Sequence, residues 1–340
     1  MILRAATEAD DAGIRAVIAA AFPDNPKQRE QITAWQYWSN PFGKTCVWVW
    51  DDDGRIVATY ANFPMPAVLD GRTALAGNGV DAAVDPEYQG RRLFEPLAKA
   101  LYEDSLNHGM AVTLCFINNP FAIKGTTKAG WLHVGQLGVW VLAVDDAWMA
   151  QRVHVPLVAA AVGRRVVWHQ RRGTGEVEVG AEVPTGIDGL WAVAGVTTGV
   201  ARHQAWWDWR YGGHPDRPYT FLSARSPSGD LVGAGVATVR EAFGGRFVYL
   251  LELLATDRNA AAAVGRAAAD VAADAGAAGV AVLALPGSAV ALRARAAGFR
   301  KVPARFDPKP TSFGAVPNDP AYAGLQSLDW SVSWGDLDHL

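Results

Sequence analysis

A glycine and two arginines stand directly before an amphipathic helix in the stretch Gln89–Phe94, which reads QGRRLF. The first N–H groups of a helix lack intrahelical acceptors and carry about half a positive charge, so an anion finds donors and a favourable field there. Gly90 lets the backbone come close to a ligand, and Arg91 and Arg92 can add charge-assisted hydrogen bonds. Pro96 indicates that the helix starts near the arginines. The stretch predicts a pyrophosphate-binding loop, and the alternative is an ordinary loop with solvated arginines.

Other reactive residue types form no recognisable site in the sequence. Cys46 and Cys115 each lie in an apolar, strand-like run, and neither has the sequence context of a nucleophile. The histidines are scattered without a pair at ligand spacing, so no metal site is predicted. The stretch Gly77–Ala82 satisfies the G-x-G-x-x-A dinucleotide pattern, but it continues into strand and proline where that motif needs a helix.

The elements that must position the loop alternate strands, tight turns and helices. An Asp-Gly turn at Gly54 between two β-rich runs is a strong hairpin signal. The helix after the loop carries Leu93, Leu97 and Leu101 on one face and ends at Gly109. The predicted order is a strand (1–6), two helices (9–22 and 26–38), two hairpins (45–64 and 67–84), that helix, a strand (110–118), a short helix (119–130) and a closing strand pair (131–144). This first half is mixed α/β with one strand, helix, strand crossover.

A second series repeats this order in the C-terminal half. It consists of a hairpin (219–239), a strand (247–255), an Ala-rich helix (259–276), a strand (280–285) and a helix that runs into a strand (291–302). A tandem repeat is therefore favoured over two unrelated α/β domains of similar size. The predicted boundaries are a first domain at 1–145, a connecting helical segment at 146–175 and a second domain at 176–340.

Length, composition and charge limit the classes of partner. With 340 residues and 50% hydrophobic composition, the chain exceeds the usual size of one core. A formal net charge of -3 gives no electrostatic footprint for nucleic acid, and no basic run stands out that would bind a membrane surface. Two cysteines favour a reducing compartment, and no leader or membrane-spanning run is recognised. We expect a cytoplasmic protein with a small-molecule partner, and oligomeric state is left open.

The stretch VDPEYQGRRLF resembles the central motif of the GNAT superfamily of acyl-CoA-dependent N-acetyltransferases. In that motif a strand ending in Val-x-Pro is followed by Arg or Gln and then by x-x-Gly-x-Gly or Ala. Gln89 matches the first position, whereas Arg92 and Phe94 stand where the family usually has small residues. The downstream stretch FINNPFAIKGTTKAGWLHVG resembles the family's strand, Asn, helix and Gly-aromatic sequence. The resemblance implies two tandem lobes of mostly antiparallel twisted sheet with flanking helices, the second copy being degenerate.

This resemblance also implies a cofactor and the residues that bind it. Acetyl-CoA is the expected cofactor, bound by the first lobe only. In the family, the strand before the loop splays from its neighbour and binds pantetheine through its backbone, which implicates Ala83 and Val84 and provides an amide N–H for the thioester oxyanion. Asn118 and Asn119 are expected near the sulfur and the pantetheine. Backbone amides expected to hold the pyrophosphate are those of Gln89, Gly90, Arg91, Arg92, Leu93 and Phe94.

The implied reaction is transfer of the acetyl group to the amine of a small molecule by direct attack in a ternary complex. Family members often have a tyrosine acid where this chain has Thr126. Asp81 can accept the ammonium proton if burial raises its pKa, and the alternative is a solvated carboxylate at a strand end. Tyr60 and Tyr88 are reserve acids. Competing hypotheses are a non-catalytic acyl-CoA-binding protein and an acyltransferase that uses hydroxyl acceptors or longer acyl chains.

The second copy lacks such a loop, because Asp257 stands where a phosphate would have to bind. We expect it to bind no CoA and to contribute a wall of the substrate cleft. The aromatic-rich stretch 203–219 is a candidate lining for that wall, although such clusters more often form core.

The C-terminal tail predicts a docked strand with Trp330, Val332 and Trp334 on one face. A looser resemblance, to the enhanced-intracellular-survival aminoglycoside acetyltransferases, implies that the tail reaches the first lobe's active site. It would then deliver Asp336, Asp338 and the Leu340 carboxylate as acid or base groups and attract a cationic amine. The alternative is a docked edge strand with solvated aspartates.

Overall fold

Two compact units make up the chain. The computed structural model describes residues 1–25, 28–153, 176–242, 244–307 and 310–337. The first unit contains the described residues of Met1–Gln136 and Thr311–Asp329, and the second contains those of Leu137–Pro310 and Trp330–Leu337. No helix in these ranges has the length and hydropathy of a membrane-spanning segment.

The helices and strands follow the chain in this order. Residues 1–136 form β1 (Ile2–Ala5), α1 (Asp11–Ala21), α2 (Glu30–Thr33), β2 (Cys46–Asp52), β3 (Arg55–Leu69), β4 (Arg72–Val84), α3 (Phe94–Asn107), β5 (Met110–Ile117), α4 (Pro120–Lys128) and β6 (Leu132–Gln136). Residues 137–307 form β7 (Gly138–Ala143), α5 (Asp146–Val153), β8 (Val177–Gly180), α6 (Ile187–Ala192), β9 (Thr198–Val200), α7 (Gln204–Trp207), β10 (Thr220–Arg225), β11 (Leu231–Ala242), β12 (Gly245–Ala255), α8 (Arg258–Asp274), β13 (Gly279–Ala284), α9 (Ala289–Ala296) and β14 (Arg300–Lys301). The C-terminal residues add β15 (Ser312–Pro317) to the first unit and β16 (Trp330–Ser331) to the second.

Each unit is built on one mixed sheet. Along the first sheet the strand order is β1-β2-β3-β4-β5-β15-β6, and along the second it is β14-β7-β13-β12-β11-β10-β8. Within each of these two strand orders one pair is parallel, β4 with β5 and β12 with β13, and its strands are connected by a helix. The other neighbours in these two orders are antiparallel. The expected fold class, mixed sheets that are mostly antiparallel with flanking helices, is confirmed.

The two predicted hairpins of the first unit form where the turn residues allow them. Asp53 and Gly54 both have positive φ, 55° and 87°, as do Asp70 and Gly71 at 50° and 74°. Two consecutive residues with positive φ match the right-handed twist of the flanking strands, so each turn closes a tight hairpin. These turns fix the register of β2 with β3 and of β3 with β4.

Helix α3 covers the first sheet with the face that its leucine spacing predicts. Leu97 and Leu101 are fully buried, and they join a core cluster that also contains Tyr60, Tyr102 and Cys115. Burying a leucine side chain contributes about 1.5–3 kcal/mol, so this face holds the helix on the sheet. The start of α3 is thereby fixed beside the end of β4.

The predicted closing strand pair is wrong, and the domain boundaries change with it. Strand β6 pairs with β15 in the first sheet, whereas β7 pairs with β13 and β14 in the second. The boundary after the first unit's main segment therefore lies at Gln136 rather than at residue 145, and residues 311–329 return to the first unit. An apolar run identifies a strand but carries no information about its partner. Of the predicted connecting segment 146–175, the structure shows α5, and residues 154–175 lie outside the described ranges.

Candidate active site

The predicted anion loop connects the end of β4 to the start of α3. Asp85 accepts a hydrogen bond from the Glu87 N–H at 3.0 Å and caps a short 3-10 turn. Trp50 donates from Nε1 to the Leu93 carbonyl oxygen at 3.0 Å. The loop is therefore fixed at both ends, and the segment between them is exposed except at Tyr88, which is half-buried.

The loop backbone presents N–H groups without acceptors. Gly90 has φ +80° and Arg92 has φ +60°, so two residues of the loop are left-handed. Within the described residues no side chain caps α3, and the N–H groups from Gly90 to Phe94 donate no recorded hydrogen bond. A run of N–H groups around left-handed residues forms a concave anion site. These residues fit the pyrophosphate of acyl-CoA on that observation.

Two side chains of the loop pack on aromatic rings. The Arg91 guanidinium lies 4.3 Å from the centre of the Tyr88 ring and donates to the Glu87 carbonyl oxygen at 3.3 Å. The Phe94 ring packs on Tyr60 with ring centres 5.7 Å apart. Phe94 stands where the GNAT motif usually has a small residue, and its half-buried ring packs toward the core cluster.

Strands β4 and β5 diverge directly before the loop. They pair from Leu75 to Asn78 of β4, and no β5 partner is recorded for the described residues Gly79–Val84. On the other edge, Ala83 and Val84 pair with Thr59 and Ala58 of β3. A backbone edge without a strand partner offers hydrogen bonds to an extended ligand, as expected for pantetheine.

Asp81 lies on a bulge at this divergence. Two residues of β4, Asp81 and Ala82, stand opposite Tyr60 of β3, and Asp81 has φ +53°. Its half-buried carboxylate accepts hydrogen bonds from the Tyr37 hydroxyl and from Asn25 Nδ2, the latter at 3.2 Å. Sequence reasoning missed Tyr37 and Asn25, because no spacing relates residues 25 and 37 to residue 81.

The two reserve acids, and the threonine at the position of the family's acid, make structural hydrogen bonds. Thr126 donates its hydroxyl to the Ala122 carbonyl oxygen at 2.8 Å, within its own helix. Burial raises the pKa of Tyr60 well above its usual value, and its hydroxyl lies 3.2 Å from the Tyr102 hydroxyl. The hydrogen bond from Tyr88 to Asp52, at 2.7 Å, raises the pKa of Tyr88. None of these hydroxyls is placed as a ready proton donor.

Asn118 and Asn119 follow β5, at the edge that diverges from β4. Asn118 is half-buried and Asn119 is exposed. The Asn119 carbonyl oxygen accepts the Ala122 N–H at 3.0 Å, so the backbone there begins α4. Their expected contacts with sulfur and pantetheine remain predictions.

In the second unit Asp336 belongs to a buried ionic cluster. Arg202 forms ion pairs with Asp336 and, at 2.7 Å, with Glu252, and all three side chains are at most 5% exposed. The Ser333 N–H donates to Asp336 at 2.8 Å. This carboxylate is closed to solvent and fully partnered, so we do not retain Asp336 as an acid or base. Asp338 and Leu340 lie outside the described residues.

The aromatic-rich stretch forms core rather than an exposed wall. Trp206 and Trp207 are fully buried, and Tyr211 is 3% exposed. Trp207 packs on Tyr211 and on Phe221 of β10 at ring-centre distances of 5.8 and 6.4 Å. The cluster therefore packs within the second unit, and its proposed substrate contact is dropped.

Comparison with known proteins gives a family match for the part of the chain that holds the loop. A family model described as an acetyltransferase (GNAT) domain matches residues 3–134. The chain matches no curated protein sequence significantly. Residues 3–134 include β4, the loop and α3, so the match covers the candidate site.

Solved structures share the fold across both units. A probable N-acyltransferase from Enterococcus faecalis has a TM-score of 0.66 at 13% identity, with 93% of this chain and 72% of that chain covered. A GCN5-related N-acetyltransferase from Kribbella flavida has a TM-score of 0.64 at 15% identity, covering 94% and 72%. Eis1 from Mycobacterium abscessus has a TM-score of 0.54 at 13% identity, covering 94% and 73%. At these identities the similarity shows the fold alone.

Proposed function

We propose that this protein transfers an acetyl group from acetyl-CoA to the amine of a small molecule by direct attack in a ternary complex, because an acetyltransferase (GNAT) domain model matches residues 3–134. The observation that supports the cofactor most directly is the row of unpartnered N–H groups at the start of α3, beside the divergence of β4 from β5. When bound, acetyl-CoA supplies the activated acyl group as a thioester.

The loop and the edge of β4 hold the cofactor in this proposal. The N–H groups of Gly90 to Phe94 bind the pyrophosphate, and the exposed Arg91 and Arg92 add charge. The free edge of β4 at Ala83 and Val84 binds the pantetheine. An amide N–H of that edge stabilises the negative charge that develops on the carbonyl oxygen during attack.

Asp81 takes a proton from the incoming ammonium group, directly or through water, and the free amine then attacks the thioester. The Tyr37 hydroxyl and the Asn25 amide orient its carboxylate on the bulge, which lies beyond Asn78, the last residue of β4 that pairs with β5. A carboxylate held in one orientation can accept a proton from a group within hydrogen-bond reach or through one water. Thiols are more acidic than alcohols, so a thiolate can leave without being protonated, and turnover is compatible with no acid being placed among the described residues.

A thiol-release assay with a panel of small amines, together with calorimetric titration of CoA, tests the function. We expect Asp81→Asn to lower kcat about 10²- to 10⁴-fold, the usual contribution of a general base, with the affinity for acetyl-CoA unchanged. Asparagine has the same shape as aspartate and tolerates positive φ, so it is a matched substitution. Tyr37→Phe should lower kcat less, because it removes one orienting hydrogen bond and leaves the carboxylate in place.

Three outcomes distinguish the alternatives. Tight CoA binding with no turnover on any amine would favour a non-catalytic acyl-CoA-binding protein. Turnover only with alcohols or with longer acyl-CoA would move the reaction to hydroxyl acceptors or larger acyl groups. Full activity of Asp81→Asn would reject Asp81 alone, and a variant that ends at Leu337 then tests the predicted roles of Asp338 and the Leu340 carboxylate.

A further inference from the structure

Three metal-binding residue types meet between β2 and the C-terminal end of α3. Cys46 is the first residue of β2, Asp104 lies in the last turns of α3, and His108 directly follows that helix. Cys46 Sγ lies 3.7 Å from His108 Nδ1, and that nitrogen lies 3.2 Å from Asp104 Oδ1. One potential ligand atom from each residue falls within 4.8 Å of the other two.

These separations match two edges of a zinc coordination tetrahedron. Zinc bonds of about 2.3 Å to a thiolate and about 2.05 Å to an imidazole nitrogen or carboxylate oxygen give edges of about 3.6 Å for S to N and about 3.3 Å for N to O. The structure has 3.7 and 3.2 Å. The ligand set of thiol, imidazole and carboxylate is also one that zinc accepts.

The surroundings orient the carboxylate and leave a route from the surface. Trp48 donates from Nε1 to Asp104 Oδ2 at 3.0 Å, which turns Oδ1 toward the histidine. Such an outer hydrogen bond is typical of carboxylates that bind metals. Cys46 is 1% exposed, whereas the side chains of Asp104 and His108 are 19% and 31% exposed. A metal can therefore enter past Asp104 and His108 and reach a buried sulfur.

We propose that Cys46 Sγ, Asp104 Oδ1 and His108 Nδ1 form a zinc site with water as the fourth ligand. On binding, the thiol proton leaves to solvent and the imidazole carries its single proton on Nε2. In the metal-free protein Nδ1 lies 2.9 Å from the Asp104 carbonyl oxygen, to which its proton is donated. When zinc binds, this hydrogen bond breaks, Nδ1 loses its proton to solvent and Nε2 takes one up. Burial and the Asp104 carboxylate raise the pKa of the free thiol to about 12, so zinc must displace that proton.

The site would connect β2 to the end of α3, the helix whose start carries the predicted anion loop. Bound metal stabilises the folded state by mass action, since the unfolded chain does not hold these three ligands together. The site contains a single histidine, so the spacing between histidines in the sequence does not indicate it. The relevant spacing is an Asp and a His four residues apart at a helix end, completed by a cysteine 58 positions before the aspartate, which only the fold brings close.

Cobalt titration of the full-length, chelator-treated protein tests the site, because cobalt bound to a thiolate gives a charge-transfer band in the near ultraviolet. We expect one equivalent to produce that band and zinc to displace it. The band should vanish in Cys46→Ser and persist in Cys115→Ser, which removes the other buried cysteine. His108→Gln changes a partly exposed side chain and should weaken zinc binding at least about tenfold, or about 1.4 kcal/mol.

Thermal unfolding gives an independent readout that needs no activity. Zinc should raise the Tm of the wild type and of Cys115→Ser, and it should leave that of His108→Gln nearly unchanged. A missing cobalt band in the wild type would overturn the proposal. Equal zinc affinity in wild type and His108→Gln would also overturn it, because the metal would then bind elsewhere.

Discussion

Helices α3 and α8 begin at the same position relative to their sheets, but a side chain caps only the start of α8. Each helix follows the strand that pairs in parallel with the next one along the chain. At α8 the Asp257 carboxylate accepts the N–H groups of Asn259 and Ala260 at 2.8 and 2.9 Å. At α3 no side chain caps the described helix start, and Gly90 and Arg92 bend the chain through left-handed conformations. A helix N-terminus becomes an anion site only where the protein's own carboxylate does not already fill it.

The parallel strand pairs differ in the same way. Pairing of β12 with β13 is limited to Phe247–Tyr249, and the turn Trp334–Asp336 contacts both strands. The Trp334 ring lies 4.8 Å from that of Tyr249, and Glu252 of β12 shares Arg202 with Asp336. The second unit thus fills its divergence with its own C-terminal turn. In the first unit the corresponding edge of β4 is the one proposed for the cofactor.

The largest effect on stability should come from breaking the ionic cluster that holds the C-terminal turn beside β12 and β13. Arg202→Met leaves Glu252 and Asp336 buried without their cation, and removing one partner of a buried ion pair costs about 3–5 kcal/mol. Chemical denaturation should show this loss in the free energy of unfolding. Arg246→Met is the control, because its pair with Glu241 is exposed and should be worth at most about 1 kcal/mol. Equal losses in the two variants would mean that the cluster does not hold the turn.

A smaller effect should follow when the loop before α3 is given a carboxylate like the one that Asp257 provides before α8. Gly90→Asp places a negative charge at the proposed pyrophosphate site, and we expect the Kd for CoA to rise at least about tenfold, or about 1.4 kcal/mol. Gly90→Asn is the matched control, since both side chains tolerate the φ of +80° and a Cβ there meets no atom within 4 Å. Calorimetry that finds the same Kd for both variants would refute a phosphate contact at Gly90.

Local chemistry explains which features the sequence predicts. Asp-Gly turns specify both hairpins of the first unit, and leucine spacing specifies the buried face of α3, because each signal acts within a few residues. Strand β7 belongs to the second sheet and β15 to the first, and both assignments depend on pairing partners that are far apart in sequence. The hydrogen bond of Tyr37 with Asp81 and the ion pair of Arg202 with Asp336 also join residues that are far apart in sequence. Side-chain partners of functional carboxylates therefore had to come from the fold.

The smallest effect should come from removing the side-chain cap of α8. Asp257→Ala removes the cap of α8 and should lower the free energy of unfolding by about 1 kcal/mol, whereas Asp257→Asn should change it by less than about 0.5 kcal/mol because asparagine caps equally well. Neither variant should bind a second equivalent of CoA. Freeing the N–H groups of Asn259 and Ala260 is not sufficient, because the divergence that would receive the pantetheine contains Trp334 and its neighbours. A stoichiometry of two in calorimetry of Asp257→Ala would show instead that the capping carboxylate alone separates the two units' behaviour.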